Sequence, residues 1–267
     1  NPKGFKDYFD SEVIDRENLL DVIKKVYYRF GFDPLETSAI EYSKSLGKFL
    51  PDVDRPNGGI YSWIDEENYN LSLRYDLTAP LARVFSQFRN VLPFPYRRYS
   101  VGPVWRNEKP GPGRYRQFYQ CDADTVGTSS ISSDAEMSLV IKDIFQDLGF
   151  SRKDFLIKIN NRKILNGIIE LIRENNTDFD EEQNTVIMRA IDKYDRLGLE
   201  GVKLLLTKGR KDDSGDFTQG ANLSEMQAQV VVEFLKSKDV SNEKTFENLK
   251  YLVKSSVSGL EGLTELE

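Results

Sequence analysis

Histidine does not occur among the 267 residues, which excludes Ser-His-Asp catalysis, Cys-His catalysis and histidine-ligated zinc together. Cysteine is nearly absent too. Cys121 stands alone, so no intramolecular disulfide can form and a disulfide-stapled secreted domain is ruled out; a reducing cytoplasm fits. No apolar run approaches the roughly 18 to 20 residues that cross a bilayer, and the opening Asn1-Pro2-Lys3-Gly4 has no signal-peptide core. A soluble, cytoplasmic protein with no membrane partner is expected. Positive charge is not in excess either: 37 Lys and Arg against 43 Asp and Glu give a net charge of -6, so the surface as a whole cannot bind nucleic acid. DNA is not an expected partner, and any RNA contact must be local. The groups left for chemistry are carboxylates, Arg and Lys, hydroxyls and backbone amides, a set suited to phosphates and magnesium.

What is present reads as α+β. Apolar residues recur at helical spacing over residues 10–30 (Val13, Leu19, Leu20, Ile23, Val26, Tyr27, Phe30), and Gly31 follows where a helix end favours glycine. Residues 32–40 read as a strand, and 48–70 as a Pro-, Asp- and Gly-rich loop with a short strand at 60–64. Residues 71–74 alternate as a strand that runs through Tyr75-Asp76-Leu77-Thr78 into a helix at 79–88, a junction well placed to face a ligand. Two long alternating strands, 96–107 and 116–126, flank the Pro- and Gly-rich Glu108-Lys109-Pro110-Gly111-Pro112-Gly113-Arg114, so an antiparallel hairpin with a charged loop is expected. A helix over 134–148 with Asp134 near its start as a cap, and a short strand at 155–160, complete this half. Beyond it the periodicity is helical, interrupted by a polar stretch at 208–220. The expected division is a core over 1–163, a mostly helical insertion over 164–258, and a return toward the core at 259–267.

The segment 104–124 is the most informative. Arg106 and Arg114 stand at the two ends of the loop, where they could grip different phosphates of one triphosphate with forked, charge-assisted hydrogen bonds. Phe118 offers a flat face for a base. Gln120, Asp122 and Asp124 alternate in register and project from one face, giving an amide and two carboxylates on one floor, while Cys121 turns to the opposite face as a packing residue.

These residues carry a resemblance. Arg106-Asn107-Glu108, the loop to Arg114 and Phe118 resemble motif 2 of the class II aminoacyl-tRNA synthetases. Leu73-Arg74-Tyr75-Asp76-Leu77-Thr78-Ala79-Pro80 and the run from Gly113 to Asp122 narrow it to the histidyl-tRNA synthetase family. Pro2-Lys3-Gly4-Phe5-Lys6-Asp7-Tyr8 is similar to that family's N-terminal signature, and the segment through Gly31-Phe32 to motif 1, which builds the dimer interface there. The proline usual at the end of motif 1 would fall at Ser38, which departs from the pattern.

The resemblance implies an antiparallel sheet flanked by helices, with ATP, Mg²⁺, histidine and tRNA(His) as cofactor, substrates and partner, and a homodimer. It implies that Asp76 and Thr78 hold the substrate amino group, that Gln120 contacts the amino-acid main chain, and that Asp124 faces the side chain. A carboxylate suits an imidazole N–H and rejects apolar side chains that would leave it unpaired. Arg106 would serve catalysis at the α-phosphate beside the attacking carboxylate, Glu108 would lie near the adenine or its ribose, Arg114 would take the γ-phosphate, and Phe118 would stack on adenine. Asp122 is read as orienting a neighbour. Asp195-Arg196 and residues 208–211 could touch acceptor-stem phosphates or simply form a solvated charged face.

The chain ends at Leu263-Thr264-Glu265-Leu266-Glu267, without the family's Arg-Gly-Leu-x-Tyr-Tyr segment, motif 3 or anticodon-binding domain. The expectation is that these 267 residues do not aminoacylate alone. A second reading of a different class is a non-catalytic, synthetase-like regulatory subunit of ATP phosphoribosyltransferase in histidine biosynthesis; the intact Arg106, Glu108, Arg114 and Phe118 favour the ligase.

Overall fold

The structure is a computed structural model that describes residues 1–46, 59–173, 181–211, 215–237 and 241–267. Residues 48–58 of the expected loop and 212–214 of the expected polar stretch lie outside the described residues. The chain divides into two compact units, Asn1–Ile157 and Lys158–Glu267.

The first unit is built on α1 (Ser11–Arg29), β1 (Asp33–Pro34), β2 (Ile40–Tyr42), β3 (Ser62–Ile64), β4 (Asn70–Leu73), α2 (Thr78–Phe88), β5 (Tyr96–Trp105), β6 (Gln117–Val126) and α3 (Ile131–Asp147). The long pair β5–β6 is antiparallel from Tyr96↔Val126 to Trp105↔Gln117. It forms one sheet in the order β1-β5-β6, with β1 parallel to β5. Residues 32–40, expected as one strand, contribute instead to two sheets, because β2 pairs with β4 in the order β2-β4-β3.

The alternation of β5 and β6 sends each face to a different task. Tyr99, Val101, Cys121 and Ala123 pack against Ile23, Val26 and Tyr27 of α1 and Met137, Val140 and Ile144 of α3. Tyr27 adds a 2.8 Å hydrogen bond from its hydroxyl to the Cys121 carbonyl. The helix α1 stops where expected: Gly31 takes φ 75, and the Phe32 amide bonds back to the Tyr27 carbonyl at 3.1 Å. Arg97, on this face, reaches Glu136 of α3 at 2.8 Å and the Phe30 carbonyl at 2.8 Å, fastening both helices to the sheet. The opposite face carries Arg98, Ser100, Gly102 and Val104 across from Asp124, Asp122, Gln120 and Phe118.

Two further expectations fail. Asp134 does not cap α3: the helix starts at Ile131 with Ser130 at the cap position, and Asp134 lies in the first turn, where its charge favours the amide end of the helix. Residues 155–160 form no strand, for no edge among the described residues pairs with them, and Leu156 and Ile159 are exposed.

The second unit contains α4 (Arg162–Arg173), α5 (Glu181–Asp192), α6 (Tyr194–Leu206), β7 (Arg210–Lys211), β8 (Phe217–Thr218), α7 (Glu225–Lys236), α8 (Asn242–Leu252) and α9 (Val257–Leu266). Its core gathers Ile164, Ile168, Ile172, Ile187, Val202, Leu206, Val231 and Val253, the apolar stripes of successive helices. Ser224 and Gln227 form a reciprocal cap at the start of α7. The division falls at 157/158, not 163/164. Residues 259–267, expected to lead back to the core, lie in the second unit, where Lys163 of α4 pairs with Glu261 and Glu265 of α9 at 2.5 Å each. The ends of the polar stretch 208–220 pair as the two-stranded β7–β8. Among the described residues no helix is long and apolar enough to cross a membrane.

Candidate active site

The turn between β4 and α2 is held over the sheet by Arg74. This side chain is buried, and it donates to the Pro103 carbonyl from Nε and to the Thr37 carbonyl from Nη1, both at 2.9 Å. Gly102 makes room for it: a Cβ at that position would stand 2.6 Å from Arg74 Nη2. The turn that follows presents Tyr75, Asp76 and Thr78. Asp76 Oδ1 accepts the Ala79 amide at 2.9 Å, which fixes its carboxylate at the first turn of α2.

Beneath this turn lies the floor of β5 and β6. Thr78 Oγ1 stands 3.4 Å from Asp122 Oδ2, and Gln120 Nε2 stands 3.5 Å from Asp122 Oδ1. Both bonds are at the long limit, so Asp122 orients its neighbours only loosely. Asp124 lies next to the fully buried Arg98, with Arg98 Nη2 2.6 Å from Asp124 Oδ2. The approach is an ion pair off the N–H axis; the aligned bond from Nη2 goes to the Leu77 carbonyl at 3.1 Å. Burial raises the carboxyls of Asp122 and Asp124 above the usual range, and the Arg98 charge opposes the rise. Burial lowers Arg98 in turn. Gln120 Oε1 and Asp124 Oδ2 are buried and make no hydrogen bond within the chain, as do Arg98 Nε and Nη1. Buried polar atoms are usually satisfied, so this concentration on one floor suits a polar ligand that brings its own donors and acceptors.

A second group adjoins the first along the same strand face. The Arg106 guanidinium lies 4.4 Å from the centre of the Tyr75 ring and 5.1 Å from that of Phe118, and Arg106 Nε donates to the Tyr75 carbonyl at 3.3 Å. The Tyr75 hydroxyl donates to Glu108 Oε1 at 3.0 Å, and the other oxygen of Glu108 pairs with Arg114. The loop closes through the Gly111↔Arg114 bridge, with the Arg106 amide donating to the Arg116 carbonyl at 2.8 Å. Arg114 is two-thirds exposed, at 66%, free to swing toward an anion.

All eight residues singled out in the sequence, Asp76, Thr78, Arg106, Glu108, Arg114, Phe118, Gln120 and Asp124, therefore border one side of the β5–β6 pair. The Glu108 carboxylate is engaged by Tyr75 and Arg114. Cys121 faces the helices, and burial pushes its thiol up to about 11. Sequence reasoning missed Arg98, Arg74 and Tyr75. Arg98 had a signal: two consecutive arginines in a strand must point to opposite faces, so one of Arg97 and Arg98 had to share the face of Asp124.

The family described as Histidyl-tRNA synthetase matches residues 4–208. The chain is 56% identical over 270 residues to the histidine-tRNA ligase of Cereibacter sphaeroides, which covers 100% of the chain and 54% of that protein. It is similar to the crystal structure of histidyl-tRNA synthetase from Nostoc sp. PCC 7120, with a TM-score of 0.78 and 30% identity over 100% of the chain and 56% of that structure. A structure named as an ATP phosphoribosyltransferase regulatory subunit/histidyl-tRNA synthetase, from Bacillus halodurans C, shares the fold at a TM-score of 0.77 and 20% identity, over 100% of the chain and 62% of its own. The chain spans about half the length of the curated relatives it matches. On the match to residues 4–208, the chain belongs to the histidyl-tRNA synthetase family.

Proposed function

We propose that the full-length protein is a histidine-tRNA ligase that joins histidine to tRNA(His) at the expense of ATP, working as a homodimer in the cytoplasm. One observation carries the reading. Arg106, Glu108, Arg114 and Phe118 adjoin, along one strand face, a floor with unsatisfied buried polar atoms at Gln120 and Asp124, an arrangement that would set a triphosphate beside a small polar substrate.

In the first step an oxygen of the histidine carboxylate attacks the α-phosphorus. An acyl–phosphate bond forms, the bond between the α- and β-phosphates breaks, and pyrophosphate leaves with the electron pair. In the second, a terminal ribose hydroxyl of tRNA attacks the acyl carbon: an ester bond forms, the acyl–phosphate bond breaks, and AMP leaves with the electron pair and takes up the hydroxyl proton. Neither step needs a protein nucleophile, so a chain without histidine can support it. Arg106, held between Tyr75 and Phe118, supplies fixed positive charge for the α-phosphoryl oxygens, and Arg114 meets the γ-phosphate by releasing Glu108. Phe118 stacks on adenine. Asp76 and Thr78 take the amino group, Gln120 the main chain, and Asp124 the imidazole N–H.

Mg²⁺ would arrive on the triphosphate and neutralise phosphate charge. Among the described residues no group of three or more Cys, Asp or Glu side chains forms a cation cage, and Glu108 is the carboxylate this chain places beside the γ-phosphate arginine. The homodimer is supported by the resemblance to motif 1 and by the exposed apolar residues Ile40, Tyr42, Trp63 and Ile64 on β2 and β3. An arginine held between two rings beside a carboxylate floor favours the ligase over a regulatory subunit without catalysis.

The test is charging of tRNA(His) with labelled histidine. The full-length protein is expected to form histidyl-tRNA at a steady rate, and these 267 residues alone are not. Failure of the full-length protein to charge tRNA(His) overturns the ligase reading.

A further inference from the structure

We propose that Arg98 is a positioning residue of the substrate floor, holding the Asp124 carboxylate in one orientation toward the ligand. This rests on the reading of Asp124 as the acceptor for the histidine side chain.

The geometry separates Arg98 from an ordinary structural arginine. Arg74 is also buried, yet among the described residues no carboxylate forms an ion pair with it, and its donors go to the carbonyls of Thr37 and Pro103. Arg98 is completely buried, stands directly across from Asp124 in the strand register, and reaches its carboxylate at 2.6 Å. Its scaffold contact is the Leu77 carbonyl, while Nε and Nη1 make no hydrogen bond. Burying a guanidinium so incompletely bonded costs stability, and a side chain kept only for packing would be better replaced by an apolar one. Asp124 keeps 29% of its side-chain exposure, so Arg98 ties the carboxylate from within while the group still opens outward.

The charges around the pair explain why a cation is needed there. Asp76 from the turn before α2 and Asp122 from β6 both act on Arg98, and Tyr96 on β5 faces it from its own strand. Behind the sheet, Tyr27 of α1 feels Asp122 and Asp124. Burial and Asp76 push Asp124 toward its neutral form, and Arg98 is the group that opposes them. A protonated Asp124 would donate one hydrogen bond and accept weakly, and would lose its preference for an N–H donor. Removing Arg98 therefore weakens histidine binding through Asp124, most strongly at low pH, and leaves the ATP grip intact.

The experiment is histidine-dependent exchange of pyrophosphate into ATP by the full-length protein, followed against pH. The variants are Arg98→Met, Arg98→Lys, Asp124→Asn and the double Arg98→Met/Asp124→Asn. Arg98→Met is expected to raise the KM for histidine about 10- to 100-fold. It should also move the acid limb of kcat/KM for histidine up by about 1 to 3 pH units, the usual influence of an arginine on a neighbouring carboxyl. The substrate's own imidazole titrates identically in every variant, so the difference reports Asp124. The KM for ATP should stay within about twofold, Arg98→Lys should recover most of the loss, and Arg98→Met should add less than about twofold on the Asp124→Asn background. The double variant removes both charges together, so the comparison with Asp124→Asn stands even if Arg98→Met fails to fold. An unmoved acid limb, a parallel rise in the KM for ATP, or a further tenfold loss in the double variant overturns the role of Arg98 alone. Absence of histidine-dependent exchange in the unmutated protein removes the ligase reading and the role of Arg98 with it.

Discussion

The Tyr75 hydroxyl donates a 3.0 Å hydrogen bond to Glu108, joining the turn after β4 to the loop after β5. The same ring lies 4.4 Å from the Arg106 guanidinium, so one side chain holds both ends of the proposed phosphate grip. Tyr75→Phe removes the hydroxyl and keeps the ring. It should raise the KM for ATP several-fold, in line with about 0.5–1.5 kcal/mol for one hydrogen bond, with kcat nearly unchanged. Tyr75→Ala also uncages Arg106 and should lower kcat in pyrophosphate exchange by a further tenfold or so, the value of a cation–π contact of about 1–2 kcal/mol. Equal effects of the two variants on kcat would show that the ring does not position Arg106.

Phe118 is half-buried on the site face, with one side of its ring toward Arg106. Phe118→Ala should weaken ATP by about 1–3 kcal/mol, the range for stacking a base on an aromatic ring, while the KM for histidine moves little. Titration of full-length protein with a non-hydrolysable ATP analogue measures this directly. A variant that binds the analogue as tightly as the parent would assign adenine to another surface.

Asp122 carries a stability cost. Burial is the largest cause raising its folded-state pKa above the unfolded value, so the stability this carboxyl contributes is present below the unfolded pKa, near 3.9, and is lost as pH rises through the folded pKa. Asp122→Asn should therefore raise the thermal midpoint of the full-length protein at pH 7, with the gain shrinking as pH falls through the raised folded pKa and gone below about 3.9. A lower midpoint at pH 7 would mean that the long bonds to Thr78 and Gln120 outweigh the desolvation.

Cys121 faces α1 with its thiol pushed up to about 11, so only about one in a thousand is ionised at pH 8. Native protein should resist iodoacetamide at that pH, and denatured protein should take up one carbamidomethyl group at Cys121 by mass spectrometry of its peptide. Rapid labelling of the folded protein at Cys121 would contradict the packing of β6 on α1.

The long elements were legible where local signals agree. The β5–β6 hairpin shows ten alternating residues on each side of a Pro- and Gly-rich loop, and α1 shows a helical stripe closed by Gly31. The short ones were not. The two residues of β1 pair in parallel with a strand more than 60 positions away, and no local pattern reports such a partner. Residues 155–160 alternate like a strand but find no edge among the described residues, and Asp134 was misplaced because Ile131 opens the helix one turn earlier than its polar neighbours suggest. At the site, the chemistry-bearing residues on β6 were legible from period-two spacing. Their partners were not: Arg98 meets Asp124, and Tyr75 meets Glu108, only through the strand register and the turn that Arg74 pins.

Activation of histidine with ATP on this strand face can be read from pyrophosphate exchange. The full-length protein is offered each of the common amino acids in turn with ATP, Mg²⁺ and labelled pyrophosphate. Exchange is expected on histidine alone, lowered about 10²- to 10³-fold by Arg106→Ala, the range for loss of one transition-state donor. Exchange that is absent with histidine, or equally strong with another amino acid, would contradict it.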